Sequence, residues 1–73
     1  MSRVRARIEG TVQGVGFRPY VFRLADELGV SGHVLNDSRG VVVEAEAPWE
    51  TVERFLARLP LEAPPLAAVE RVT

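Results

Sequence analysis

Cysteine and lysine are absent from this chain, and histidine, tryptophan and tyrosine occur once each. Without cysteine there is no disulfide and no thiolate-ligated metal, and the redox compartment leaves no mark on the composition. One histidine without cysteine argues against a dedicated transition-metal site, and no cofactor is expected. The nine basic residues, all arginine, face ten acidic ones for a net charge of −1. That balance argues against a general nucleic-acid binder, which carries a strongly basic face. No apolar run approaches the ~20 residues a helix needs to span a bilayer, and no signal-peptide pattern opens the chain. At this level the expectation is a cytoplasmic module with neither a membrane nor a nucleic acid as partner.

What is present suffices for one small domain. Seventy-three residues, 47% of them hydrophobic, can close around a single core spanning 1–73. A chain of this length buries only about 60% of the surface its unfolded form exposes, so its stability is expected to be modest. Ser2 to Gly10 alternates, with Val4, Ala6 and Ile8 on one face and Arg3, Arg5, Arg7 and Glu9 on the other. That is the period of a half-buried strand with one wet face, on which the three arginines read as solvated.

Further along, Val21, Leu24, Ala25 and Leu28 recur at helical spacing, with Gly29 as a stop signal. Pro19 suits a first helical turn, and Arg18 before it is biased towards extended backbone, which sets the expected helix at Pro19 to Leu28. Tyr20 and Phe22 read as packing residues. Gly32 to Asn36 and Val41 to Ala47 flank Asp37-Ser38-Arg39-Gly40, a hairpin with turn chemistry at its tip. Pro48 breaks the third strand and Trp49 reads as a staple against the helix that follows. That helix is expected at Glu50 to Leu59, with Val52, Phe55, Leu56 and Leu59 as its apolar stripe and Pro60 beyond its end. Ala67 to Thr73 supplies a last strand.

The order β-α-β-β-α-β has two helical stripes and one apolar sheet face to cover. It therefore predicts an α+β, ferredoxin-like sandwich: an antiparallel sheet in the order 4-1-3-2 with both helices on one face. In that arrangement the first and second strands end at the same edge of the sheet, where the first helix begins. Val34 and Asn36 share a face, so Asn36 is expected to emerge beside the loop before the helix.

That loop, within Gly10-Thr11-Val12-Gln13-Gly14-Val15-Gly16-Phe17-Arg18, is the stretch that carries chemistry. Three glycines permit a tight concave turn, whose N–H groups can converge on an anion at a helix N-terminus. Arg18 adds a guanidinium fork that matches phosphate geometry. The stretch is neither a Walker A loop, lacking Gly-Lys-Ser/Thr, nor the dinucleotide fingerprint, lacking the third glycine. On local chemistry alone an ordinary strand-to-helix turn fits it equally well. Asn36, similarly, reads locally as a residue opening the hairpin turn, although its amide also suits the positioning of a water. His33 lies on the face opposite Asn36 and reads as a surface residue.

The whole stretch Gly10 to Arg18, together with Gly32, Val34, Asn36, Gly40 and Val42, resembles the two signatures of the acylphosphatases. Pro19-Tyr20-Val21, Asn36-Asp37 with Gly40-Val41, and Ala63-Pro64-Pro65-Leu66-Ala67 resemble a particular branch, the N-terminal domains of hydrogenase-maturation carbamoyltransferases. His33, Leu35 and Pro48 depart from the usual pattern, away from Arg18 and Asn36.

The resemblance implies a metal-independent hydrolase of acyl phosphates, with carbamoyl phosphate as substrate and inorganic phosphate as product. It implies a phosphate-binding loop made of Gln13, Gly14, Val15, Gly16, Phe17 and Arg18. Arg18 and Asn36 would be the catalytic pair, Asn36 orienting the attacking water. It further implies that the chain is a piece of a larger nickel–iron hydrogenase maturation protein, whose remaining domains are its partners. A non-catalytic ferredoxin-like module that binds an anion or docks a neighbouring domain is the alternative.

Overall fold

Alternation in the first ten residues makes an extended segment that buries one side only, and the rest of the chain folds to cover that side. The computed structural model describes residues 1–12, 16–38, 40–65 and 67–73. Its elements are β1 (Ser2–Thr11), α1 (Phe17–Leu28), β2 (Ser31–Asn36), β3 (Gly40–Ala47), α2 (Trp49–Leu61) and β4 (Ala68–Val72). The strands form one antiparallel sheet in the order β2-β3-β1-β4, the expected ferredoxin-like arrangement read from the other edge.

Register fixes the two faces. Val4 lies opposite Ala45, Ala6 opposite Val43 and Ile8 opposite Val41. These side chains meet Val21, Leu24, Val52, Phe55 and Leu59 from the helices in a single core, with Ile8, Val41, Val52 and Leu59 fully buried. The same register sets Arg3 opposite Glu46 and Arg5 opposite Glu44 on the open face. Arg3 bonds Glu44 at 2.8 Å and lies 4.0 Å from Glu46, while Arg7 pairs with Asp37. Arg3 and Arg5 stay exposed, as expected of a solvated stripe, and the antiparallel register adds carboxylates across from it.

Both helices are longer than expected, for reasons in their ends. Gly16 takes φ 80°, a left-handed conformation natural to glycine, and turns the chain into α1. The first intrahelical bond then runs from Tyr20 N–H to the Gly16 carbonyl at 3.2 Å, so Arg18 and Pro19 lie inside the first turn. Pro19 costs no hydrogen bond there, since the first N–H groups of a helix have no intrahelical acceptor. At the other end Gly29 N–H bonds the Asp26 carbonyl and Val30 N–H the Ala25 carbonyl, a Schellman closure.

In α2, Pro48 serves as N-cap, its carbonyl accepting from Thr51 and Val52. Trp49 is therefore the first helical residue and stands half exposed instead of stapling the turn. Pro60 sits within the last turn. The ladder resumes past it through Glu62 N–H to the Arg58 carbonyl at 3.1 Å, and the Tyr20 hydroxyl bonds the carbonyls of Arg58 and Leu59. Among the described residues, no helix is long and apolar enough to cross a membrane.

Candidate active site

Both β1 and β2 pair antiparallel with β3, so they run the same way and end at one edge of the sheet. Asn36 is the last residue of β2, set opposite Val41, which is itself opposite Ile8. Its side chain is thereby assigned to the helix-covered face, at the rim where α1 starts. Arg18, in the first turn of α1, arrives at the same rim from the other direction. Val12, Gly16, Phe17, Arg18, Pro19, Phe22 and Asn36 together line one open cleft of about 590 Å³. Sequence reasoning brought Arg18 and Asn36 to one place, and the fold does so.

The supports of each side chain differ. Phe17 is buried, its ring centroid 5.5 Å from that of Tyr20, so its side chain anchors the helix while its backbone N–H lies in the first turn. No acidic residue stands in that turn, and Gly16 as N-cap has no side chain with which to bond the first N–H groups, so the positive end of the helix dipole lies at the rim of the cleft. Asn36 is held by the turn that follows it. Asp37 N–H bonds the Gly40 carbonyl at 2.9 Å, and Gly40 N–H returns a bond to Asp37 Oδ1 at 2.9 Å. The other carboxylate oxygen of Asp37 accepts from Arg7 of β1, tying the hairpin tip across the sheet.

Gly10 serves a different purpose from Gly16, although both stand in the glycine-punctuated stretch. Its φ is 128°, at an irregularity in the β1–β4 pairing. A Cβ there would lie 2.1 Å from the Ala68 carbonyl oxygen. This glycine therefore lets β4 approach β1 and takes no part in the cleft. The expected loop residues Gln13, Gly14 and Val15 lie outside the described residues.

Sequence reasoning missed the apolar part of the cleft. Phe22, read as a packing residue, is 50% exposed and lines the cleft, whereas Tyr20 is packed as expected. The signal was available: Phe22 follows Arg18 by four residues and so shares its face of the helix. Phe22 also borders a second groove of about 200 Å³ between α1 and β2, which Val30, Val34 and Phe55 help to line.

The shifted titrations lie elsewhere. On the open face, the hydrogen bond from Arg3 holds the Glu44 carboxyl below its ordinary pKa, and His33 stands 3.5 Å from it. Burial pushes the Tyr20 phenol up. The open face presents Arg3, Arg5, Arg7, His33, Leu35, Val42, Glu44 and Glu46, with no Phe, Tyr or Trp among the described residues on which a base could stack.

An α+β sandwich of this topology, with an arginine and an asparagine lining one cleft where its first helix begins, defines a recognisable class. Residues 4–73 match the family model for acylphosphatase. The acylphosphatase of Thermotoga petrophila is 42% identical over 74 residues, a match covering 100% of this chain and 81% of that protein. The crystal structure of the Bacillus subtilis acylphosphatase superposes with a TM-score of 0.93 at 32% identity, covering 100% of this chain and 81% of that one.

The chain belongs to the acylphosphatase family, and the enzyme class expected from the sequence, a hydrolase, is that of the family. It is also similar to carbamoyltransferase HypF2 of Cupriavidus necator, 50% identical over 70 residues, 96% of this chain. The chain spans only 9% of the length of that relative.

Proposed function

We propose that this domain hydrolyses the phosphoric–carboxylic anhydride of an acyl phosphate, with Arg18 and Asn36 as its catalytic side chains. The observation that carries the reading is that these two residues, from different elements, line one cleft at the N-terminus of α1. On this reading the phosphoryl oxygens are held by the Arg18 guanidinium and by backbone N–H groups of the segment Gln13, Gly14, Val15, Gly16 and Phe17. Asn36 accepts a hydrogen bond from a water and aligns it opposite the leaving acyl oxygen. The water oxygen bonds to phosphorus, the P–O bond to the acyl group breaks, and the carboxylate or carbamate departs with the bonding pair. The water's proton passes to a phosphoryl oxygen. A carboxylate leaving group needs no protonation, so no general acid is required, and the task reduces to positioning and charge stabilisation.

Carbamoyl phosphate is the physiological substrate on this reading, hydrolysed in the cytoplasm by one domain of a larger protein of nickel–iron hydrogenase maturation. Support comes from the similarity to a carbamoyltransferase about eleven times longer than the matched stretch.

The test is hydrolysis of carbamoyl and benzoyl phosphate by this chain beside its Arg18→Ala and Asn36→Ala variants. Loss of a preorganised polar group is expected to lower kcat by about 10²–10³ in each. Inorganic phosphate should bind Asn36→Ala as it binds the parent, and Arg18→Ala far more weakly. Equal loss of phosphate affinity in both variants would sink the division of roles. A folded parent that binds phosphate without turning over either substrate would make the domain a binding module.

A further inference from the structure

A cleft of about 590 Å³ falls in the ordinary size range of small-molecule sites and is larger than a phosphoryl group needs. Its lining divides by chemistry. Gly16, Arg18 and Asn36 are its polar lining, while Val12, Phe17, Pro19 and Phe22 are apolar. Val12 and Phe17 are buried, so among the described residues Pro19 and Phe22 are the apolar side chains that stand exposed there. Phe22 is half exposed, a costly position for an aromatic ring unless something covers it. Isolated exposed rings are common on surfaces and by themselves mean little. This ring is distinguished by place: it lies one helical turn beyond Arg18, about 5–6 Å away between Cβ atoms, on the same helix face. It is also shared with the neighbouring groove, whose further lining includes Val30, Val34 and Phe55.

We infer that Phe22 is a specificity-determining residue, the wall against which the acyl group of the substrate lies when its phosphoryl group is held at Arg18. This rests on the phosphoryl-binding reading given above. The wall selects by apolar surface. An aroyl phosphate sets its ring against Phe22 and gains both burial and an aromatic contact. A carbamoyl group brings only a small planar N–C=O unit and gains little. The groove behind Phe22 gives a larger apolar acyl group room to extend between α1 and β2. Phe22 makes no contact with phosphorus or water in this arrangement, so it acts on substrate choice and leaves the chemical step alone.

Phenacylphosphonate, in which a methylene replaces the scissile oxygen of benzoyl phosphate, measures this without turnover. Its dissociation constant and that of inorganic phosphate are to be determined by calorimetry for the parent chain, Phe22→Ala and Phe22→Leu. The parent is expected to bind the phosphonate about tenfold more tightly than phosphate, the scale of an aromatic contact with its burial. In Phe22→Ala that ratio should fall to near unity with phosphate binding unchanged, and Phe22→Leu should lie between. In turnover, Phe22→Ala should raise KM for benzoyl phosphate about tenfold, keep kcat, and leave KM for carbamoyl phosphate within about twofold. An unchanged phosphonate-to-phosphate ratio in Phe22→Ala, with phosphate still bound, overturns the role of Phe22 alone. Failure of the parent to bind phosphate at all overturns both this inference and the phosphoryl site beneath it.

Discussion

Tyr20 shows how one side chain can matter to a site it does not touch. Its ring packs on Phe17 in the first turn of α1, and its single hydroxyl proton is shared between the carbonyls of Arg58 and Leu59, each 2.9 Å away. The residue thereby fixes the helix that carries Arg18 to the end of α2. Replacing it by phenylalanine keeps the packing and removes the donor, at an expected cost of about 1 kcal/mol in urea unfolding with the slope unchanged. The phenol's pKa is raised by burial first and by Glu62 second, against smaller opposing effects of Arg58 and Arg23. A raised pKa in the folded state means that the unfolded chain loses this proton at lower pH. Its contribution is then complete below about pH 10 and declines as pH rises through the folded-state value. The urea midpoint should accordingly fall above pH 10 in the parent and fall less steeply in Tyr20→Phe.

At the scale of elements, the β2–β3 hairpin is the device that presents Asn36. Asp37 joins its two strands through Gly40 and ties them to β1 through Arg7. Asp37→Ala removes hydrogen bonds to a charged group and should cost about 1.5–3 kcal/mol in chemical unfolding. On the proposed division of roles, loosening the element that carries Asn36 should lower kcat while phosphate affinity stays close to that of the parent. Sequence patterning made this hairpin legible because period-two alternation and turn residues are local properties. The same holds for strand order, since few topologies cover two helical stripes with one sheet face.

Element ends were read less well, and the reasons are physical. Proline signals a boundary through its own geometry. Yet Gly16 starts α1 before Pro19 can act, and Tyr20 with the Glu62 bond carries α2 past Pro60. The open-face ion pairs and the exposure of Phe22 depend on register and on neighbours far along the chain, which alternation alone does not encode. Arg18 and Asn36 share a cleft because strand direction, once inferred, brings them to a common edge, whereas the roles expected of them came from the family resemblance.

For the whole molecule, β1 is the member on which the rest depends, paired along one side with β3 and along the other with β4. A domain of this size has a stability of about 4–11 kcal/mol, so a single backbone clash takes a large share. Gly10→Ala would thrust a methyl group to 2.1 Å from the Ala68 oxygen and 2.8 Å from the Glu70 nitrogen, at a φ that alanine rarely adopts. A loss of about 3 kcal/mol is expected, seen as a fall in Tm of about 10–20 °C. Amide exchange should accelerate first in β4.

The pairing of β1 with strands from both the middle and the end of the chain also bears on how the molecule assembles. Ser2 meets Ala47 and Ile8 meets Val72, so the central strand finds its partners only after long loops have closed. Asn36 reaches the rim beside Arg18 only through β3, whose place against β1 is one of those late pairings. A chain with its helices formed and its sheet incomplete has no cleft. Recovery of hydrolysis after dilution from denaturant should therefore follow the slowest phase of folding, making turnover a clock for completion of the native state.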